Sequence, residues 1–213
     1  MASFVRKALT RRPAPHQIRD DWWLVVGLGN PGVEYAATRH NVGFWVADRV
    51  AKRAGAKFTE KKCESRVAEG EYAGHGLAIA RPGTYMNRSG MAVKGLVRRY
   101  RVPLERLIIV VDDVNLPIGR IRIRADGRAG GHNGLKSIMM YLTSDTFPRI
   151  RIGIGLPAGG PVLRDHVLST FDVDEEPLVA ESCDRAADAV LTIIESGIEA
   201  AMNRFNAGAP PPE

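Results

Sequence analysis

The chain has only two cysteines in 213 residues, Cys63 and Cys183, far apart and at no C-x-x-C spacing. That excludes a disulfide-stapled scaffold and a thiolate zinc site, and it predicts two ordinary thiols in a reducing compartment, cytoplasmic by default. No stretch approaches the roughly 18 consecutive apolar residues of a membrane span, so no membrane partner is expected. There is no G-x-S-x-G elbow and no cysteine placed as a nucleophile, so covalent acyl-enzyme chemistry lacks its key residue. In "AGGHNGLKS" Lys136 does not directly follow Gly134, so the Walker pattern fails and nucleoside triphosphate binding is excluded. The few histidines fall at no metal-ligand spacing, and neither a metal nor another cofactor is implied.

What the chain does contain suits one domain: 45% apolar residues at this length can bury a core without staples. A net charge of +6 is compatible with a polyanionic partner, because clustered Lys and Arg gain affinity by releasing counterions from phosphates. The first twenty residues carry five basic side chains and one acid, with Pro13 and Pro15 stopping any helix early. Residues 1–21 therefore read as a flexible basic arm, the alternative being an organellar presequence. The domain spans 22–206, and "AGAPPPE" over 207–213 reads as a disordered tail. Nothing in the pattern demands more than a monomer.

Residues 23–28 form a continuous apolar run bounded by glycine, the mark of a strand buried on both faces. A helix with Val42, Trp45, Val46, Val50 and Ala54 on one face follows, ended by Gly55. Segments 66–72 and 77–81 predict an antiparallel pair turning at Gly74-His75, and 88–100 predicts a helix. "LIIVVDD" (107–113) is a second fully apolar strand that delivers two carboxylates at its carboxyl end. "RIRIRA" (120–125) alternates, placing Arg120, Arg122 and Arg124 on one face, and "RIRIGIG" (149–155) puts Arg149 and Arg151 on a common face. A long amphipathic helix over 175–196, capped by Asp172 or Asp174, and a short one over 198–205 close the domain. Strands alternating with helices make this an α/β chain.

"GLGNPG" (27–32) fits the G-x-G-x-x-G template of a dinucleotide turn. The acid about 20 residues on that a ribose needs is Asp48, which falls inside the first helix, so the nucleotide context is missing. More informative is His40, ten residues after Asn30. In open α/β sheets ligands sit beyond the carboxyl ends of the strands, where both the turn and Asp112 belong. A carboxylate on one imidazole nitrogen fixes the tautomer and frees the other to take a proton, so His40 and Asp112 form a candidate general base with water as nucleophile. Asp113, by alternation, should point away from that pair. Asn30, Asn87 and Asn133 offer uncharged amide donors at loop-helix junctions, suited to an amide-bearing substrate and a developing oxyanion.

At this point the chain resembles the bacterial-type peptidyl-tRNA hydrolases. The resemblance covers roughly 23–206 and rests on four blocks in the family's order: "VVGLGNPGVEYAATRHNVGF", "RPGTYMNRSG", "VVDDVNLPIG", and "GRAGGHNGLKSI" followed by "RIRIGIG". It implies a single α/β domain with a twisted mixed β-sheet flanked by helices, and hydrolysis of the ester joining a peptide to tRNA. By resemblance His40 is the general base, Asp112 its carboxylate, and Asn30 the residue that tells a peptidyl from a free aminoacyl group. Tyr35, Tyr85, Asn87 and Asn133 match contacts to the tRNA end or its peptide, and Met86 matches a hydrophobic lining position. Arg122 and Arg151 match a pair that clamps a tRNA phosphate. The sequence departs from the family pattern in four places. Arg122 stands where Lys is common, Val111 where His is common, Asn115 where an acid is common, and "LPAGGPVL" lacks the Lys that relatives often carry. An inactive RNA-binding relative remains the alternative to an enzyme.

Overall fold

The computed structural model describes residues 21–156 and 163–207. The expected arm and tail lie outside these residues except for Asp21 and Ala207, as does most of "LPAGGPVL". Among the described residues the strands are β1 (Trp22–Gly27), β2 (Phe58–Lys62), β3 (Ser65–Tyr72), β4 (His75–Pro82), β5 (Leu107–Asp113), β6 (Ile121–Arg124) and β7 (Arg149–Gly153). They form one mixed sheet in the order β2-β3-β4-β1-β5-β7-β6. The centre, β4-β1-β5-β7, is parallel, and β2, β3 and β6 run antiparallel to their neighbours. The sequence did not reveal β2, because "FTEKK" is polar and its middle residues are exposed at the sheet edge, where no apolar alternation is required.

The helices are α1 (Val42–Arg53), α2 (Ser89–Tyr100), α3 (Asn133–Leu142), α4 (Leu163–Leu168), α5 (Glu176–Ser196) and α6 (Ile198–Phe205). Strand alternation divides the core. Ile108 and Val110 of β5 pack with α1, α5 and α6 on one face, while Leu107, Ile109 and Val111 pack with α2 and α3 on the other. Both faces of the central strands are covered, which explains their unbroken apolar runs.

The turn after β1 is not a dinucleotide cradle. Helix α1 begins only at Val42, ten residues beyond Gly32 rather than directly after the turn, and Asp48 is an exposed residue of α1 paired with Arg81 at 2.7 Å. Its glycine serves packing instead. A Cβ at Gly27 would lie 2.0 Å from the Gly43 carbonyl oxygen, so strand and helix backbones touch there. The hairpin between β3 and β4 turns at Ala73-Gly74, one residue earlier than expected. Neither Asp172 nor Asp174 caps α5 with its side chain; Glu175 precedes the helix, and its carboxylate accepts the Asp172 N–H at 2.8 Å.

Glu175 also holds Arg39, a buried residue absent from the sequence expectations. The Arg39 guanidinium donates to Glu175 Oε2 at 2.6 Å, to the Ile154 carbonyl at 3.2 Å and to Ser169 Oγ at 3.3 Å, and lies 4.5 Å from the Phe171 ring centre. It ties the turn bearing His40 to the end of β7 and to the segment between α4 and α5. Burial would raise the Glu175 carboxyl, but the Arg39 hydrogen bond and the Asp172 N–H outweigh it and hold it below the usual range. A depressed carboxyl stabilises the fold above its unfolded value of about 4.3 and loses that contribution as pH falls through the folded value. Glu175→Gln should therefore lower unfolding stability at pH 7 by about 1 to 3 kcal/mol. The gap to wild type should narrow in urea titrations below about pH 4; a gap independent of pH would refute the charge pairing.

Candidate active site

The carboxyl ends of β1 and β5 open into a cleft of about 680 Å³, into which Asn30, Tyr35, His40, Tyr85, Met86, Asn87, Asp112, Asn133 and Arg151 project. These residues come from five separate segments that the parallel centre of the sheet brings to one edge. Arg122 does not line the cleft; it is exposed on β6.

His40 sits in a 3-10 turn, Arg39–Asn41, immediately before α1. Its Nδ1 lies 2.7 Å from Asp112 Oδ1, at the tip of β5. The same oxygen lies 3.0 Å from Nε2 of His132, which the sequence reading passed over. His132 is the N-cap of α3: its Nδ1 accepts the N–H groups of Gly134 at 3.1 Å and Leu135 at 3.2 Å. An imidazole nitrogen that accepts two amide protons carries none, so in the neutral ring the His132 proton is on Nε2, directed at Asp112. The histidine cap was hard to see, since Ser, Thr, Asp and Asn are the usual residues there.

Asp112 is buried, with 3% of its side chain exposed. Burial alone would raise its pKa, but the charges and hydrogen bonds of His132 and His40 outweigh it and hold the carboxyl well below the usual range. An ionised carboxylate only accepts, so Asp112 takes the His40 Nδ1–H as well. The neutral His40 ring then bears a lone pair on Nε2, which has no partner among the described residues and belongs to a ring that faces the cleft.

The histidines fall at no metal-ligand spacing in the sequence, yet two of them meet one carboxylate in the fold. Folding places ligand atoms of His40, Asp112 and His132 within 4.8 Å of one another, although they are remote in sequence. The donor set does not suit a metal, however. Binding at His132 Nε2 would move its proton to Nδ1 and remove the cap of α3, and both short N···O contacts are hydrogen bonds.

Asn30 is held as a donor. Its backbone N–H and C=O bond the side chain of Asn41 at 2.8 and 3.0 Å, and its Oδ1 accepts the Met86 N–H at 2.8 Å. With the oxygen engaged, Nδ2 is the end left without a partner among the described residues. Asn41 was also missed; its role depends on a contact across a turn that spacing does not reveal. Tyr35 and Tyr85 meet edge to face at 6.3 Å on one wall, and Asn87 and Asn133 stand exposed at the starts of their helical segments. Asp113 turns away from the histidines, as alternation predicts, and pairs with Arg151 at 3.1 Å. Asn115, where an acid is common in the family, bonds Asp113 rather than Asp112.

Arg149 and Arg151 do share a face, but neither is open to solvent. Arg149 is fully buried, donating to the carbonyls of Gly127, Asp145 and Phe147. Burial and the neighbouring Arg151 push its pKa down to about 10. Cys63 and Cys183 are both free thiols, and burial pushes Cys183 up to about 12, leaving it inert at neutral pH. None of the described helices is long and apolar enough to cross a membrane.

The family model for peptidyl-tRNA hydrolases matches residues 24–212. The chain belongs to the peptidyl-tRNA hydrolase family. The peptidyl-tRNA hydrolase of Roseiflexus castenholzii is 50% identical over 192 residues, covering 90% of this chain and 90% of that protein. That of Caldanaerobacter subterraneus is 48% identical over 184 residues, covering 86% of this chain and 99% of its own length. Among solved structures, the peptidyl-tRNA hydrolase of Acinetobacter baumannii superposes with a TM-score of 0.82 at 36% identity, covering 91% of this chain and 98% of that one. A peptidyl-tRNA hydrolase in complex with N-propanol gives 0.83 at 35% identity, with coverage of 93% and 100%. The peptidyl-tRNA hydrolase fold thus extends over about nine-tenths of the chain, and the family model spans every segment that lines the cleft.

Proposed function

We propose that this protein hydrolyses the ester between a peptide and the 3′ end of tRNA, with His40 as general base. The observation that carries this reading is the orientation of His40: its Nδ1 bonds a buried carboxylate and its ring opens onto the cleft. A water between Nε2 and the ester carbonyl loses its proton to His40 as its oxygen attacks. The ester C–O bond then breaks, and the proton passes from His40 to the departing ribose oxygen. Asp112 stabilises the imidazolium formed in between.

Asn30 Nδ2 is placed to donate to the substrate, where a peptidyl group presents an amide and a free aminoacyl group a cation. Asn87 and Asn133 are further donors for the acyl group and the developing oxyanion. Met86 gives the cleft an apolar floor, and the Tyr35–Tyr85 pair offers aromatic surface to the tRNA end. Arg122, exposed beside the site, suits a tRNA phosphate.

We assign catalysis to residues 22–206 of a single chain, since one chain supplies every group named. Activity in the cytoplasm of a bacterial-type cell agrees with the organisms of the relatives. The test is release of N-acetyl-amino acid from N-acetyl-aminoacyl-tRNA by the purified protein. Rapid release is expected. An intact ester despite tRNA binding would favour an RNA-binding relative without activity.

A further inference from the structure

Arg88 precedes α2 without capping it; the buried N–H of Gly90, in the first turn of α2, instead donates to Ser137 Oγ of α3 at 3.0 Å. Three residues before Ser137, on the same face of α3, Gly134 makes a second close approach. A Cβ at Gly134 would stand 2.6 Å from Met86 Sδ, and one at Gly90 would stand 2.2 Å from the Ser137 carbonyl oxygen, so the two segments meet with no room for a methyl group at either point. Asn87 follows Met86, and Asn133 precedes Gly134. The two contacts therefore set how far apart the amides of the cleft stand. We propose that Ser137, buried and outside the cleft lining, is a positioning residue that fixes Asn87 and Asn133 as a pair; this rests on the hydrolase reading above and on the donor role given there to the two amides.

The start of α3 is tied to the general base. His132 caps Gly134 and Leu135 with one ring nitrogen and bonds Asp112 with the other, so the carboxylate that orients His40 also orients α3. The segment before α2 is held at Met86, whose N–H bonds Asn30 Oδ1, but the Asn87 side chain makes no hydrogen bond among the described residues. Its place follows from the path of its backbone. Ser137 supplies the bond that ties this path, one turn on, to α3. Alanine at 137 would differ little in size and would remove that acceptor from a buried N–H. Donors aimed at a developing charge act through their placement, and a displacement of about 1 Å costs on the order of 10²-fold in rate.

A double-mutant cycle separates positioning from general support of the fold. Hydrolysis of N-acetyl-aminoacyl-tRNA is measured for wild type, Ser137→Ala, Asn133→Ala and the variant carrying both changes. Ser137→Ala should lower kcat about 10- to 100-fold with KM little changed, because the amides act chiefly on the charge that develops during attack. In Asn133→Ala no pair is left to space, so there the same change should cost less than about 3-fold. Equal fold losses in the two backgrounds, as general loosening would give, would overturn the proposal, and so would wild-type kcat in a folded Ser137→Ala. Ser137→Asp keeps an acceptor facing the start of α2, where a carboxylate is favoured, and should recover most of the rate; a folded Ser137→Asp as slow as Ser137→Ala would also overturn it. If thermal unfolding shows that Ser137→Ala does not fold, Ser137→Cys, similar in size with a weaker acceptor, enters the same cycle with the same two outcomes. A wild type inert on the ester would overturn the hydrolase reading and this inference with it, whereas an active wild type with equal losses would overturn this inference alone.

Discussion

His40→Ala is expected to lower kcat for peptide release by about 10² to 10⁴, the usual contribution of a positioned general base, while tRNA binding survives. The separation follows from the structure. The His40 ring lies at the cleft wall with 11% of its side chain exposed, whereas Arg122, the proposed phosphate contact, stands on an edge strand outside the cleft. Helix α1 should be undisturbed, because its buried face runs from Val42 onward and His40 precedes it. Single-turnover hydrolysis beside a binding titration on the same tRNA reads both quantities. Turnover near wild type would remove His40 from the mechanism; a parallel loss of binding would make it a substrate contact instead.

Asp112→Asn should be nearly as damaging, for a different reason. In the wild type one carboxylate oxygen accepts from both His40 Nδ1 and His132 Nε2. If the oxygen of Asn took that place, both bonds would persist without the negative charge that stabilises imidazolium. If the NH2 took it, His40 Nδ1 would have to accept, and the proton would move to Nε2, the atom needed as base. Either outcome weakens His40, and a fall in kcat of about 10² to 10⁴ is expected, with KM changed far less. The amide is nearly isosteric, so the variant should fold. Asp112 is ionised throughout the working range, since the two imidazoles hold its carboxyl well below the usual value. The acid limb of the wild-type pH profile therefore does not report Asp112. Full activity in Asp112→Asn would show that His40 needs no anionic partner.

The parts of the fold that follow from burial alone were legible in the sequence. Strand β1, and β5 up to its two terminal carboxylates, are apolar because helices cover both faces, and α1 shows one buried stripe. His40, Asp112 and Asn30 could be paired because they sit at the ends of these elements, on the edge where parallel strands place ligands. Contacts across loops were not legible. The two bonds from His132 Nδ1 to the start of α3 decide its tautomer, yet a histidine N-cap leaves no sequence signature. Asn41 and Arg39 flank His40 in sequence, but their partners lie 11 and up to 136 residues away. Alternation assigned Arg149 and Arg151 to the right face and could not say that a loop covers them. The edge strand β2, with no apolar face to mark it, went unread.

The central claim is a cleft that selects an amide-bearing acyl group through Asn30 and cleaves its ester through His40. It is tested most directly by the initial rates on one tRNA carrying the same amino acid with its amino group acetylated or free. The N-acetyl ester should be cleaved at least about 10²-fold faster in kcat/KM, an energy difference of about 3 kcal/mol that one well-placed hydrogen bond and the exclusion of a cation can together supply. Equal rates on the two esters would contradict it.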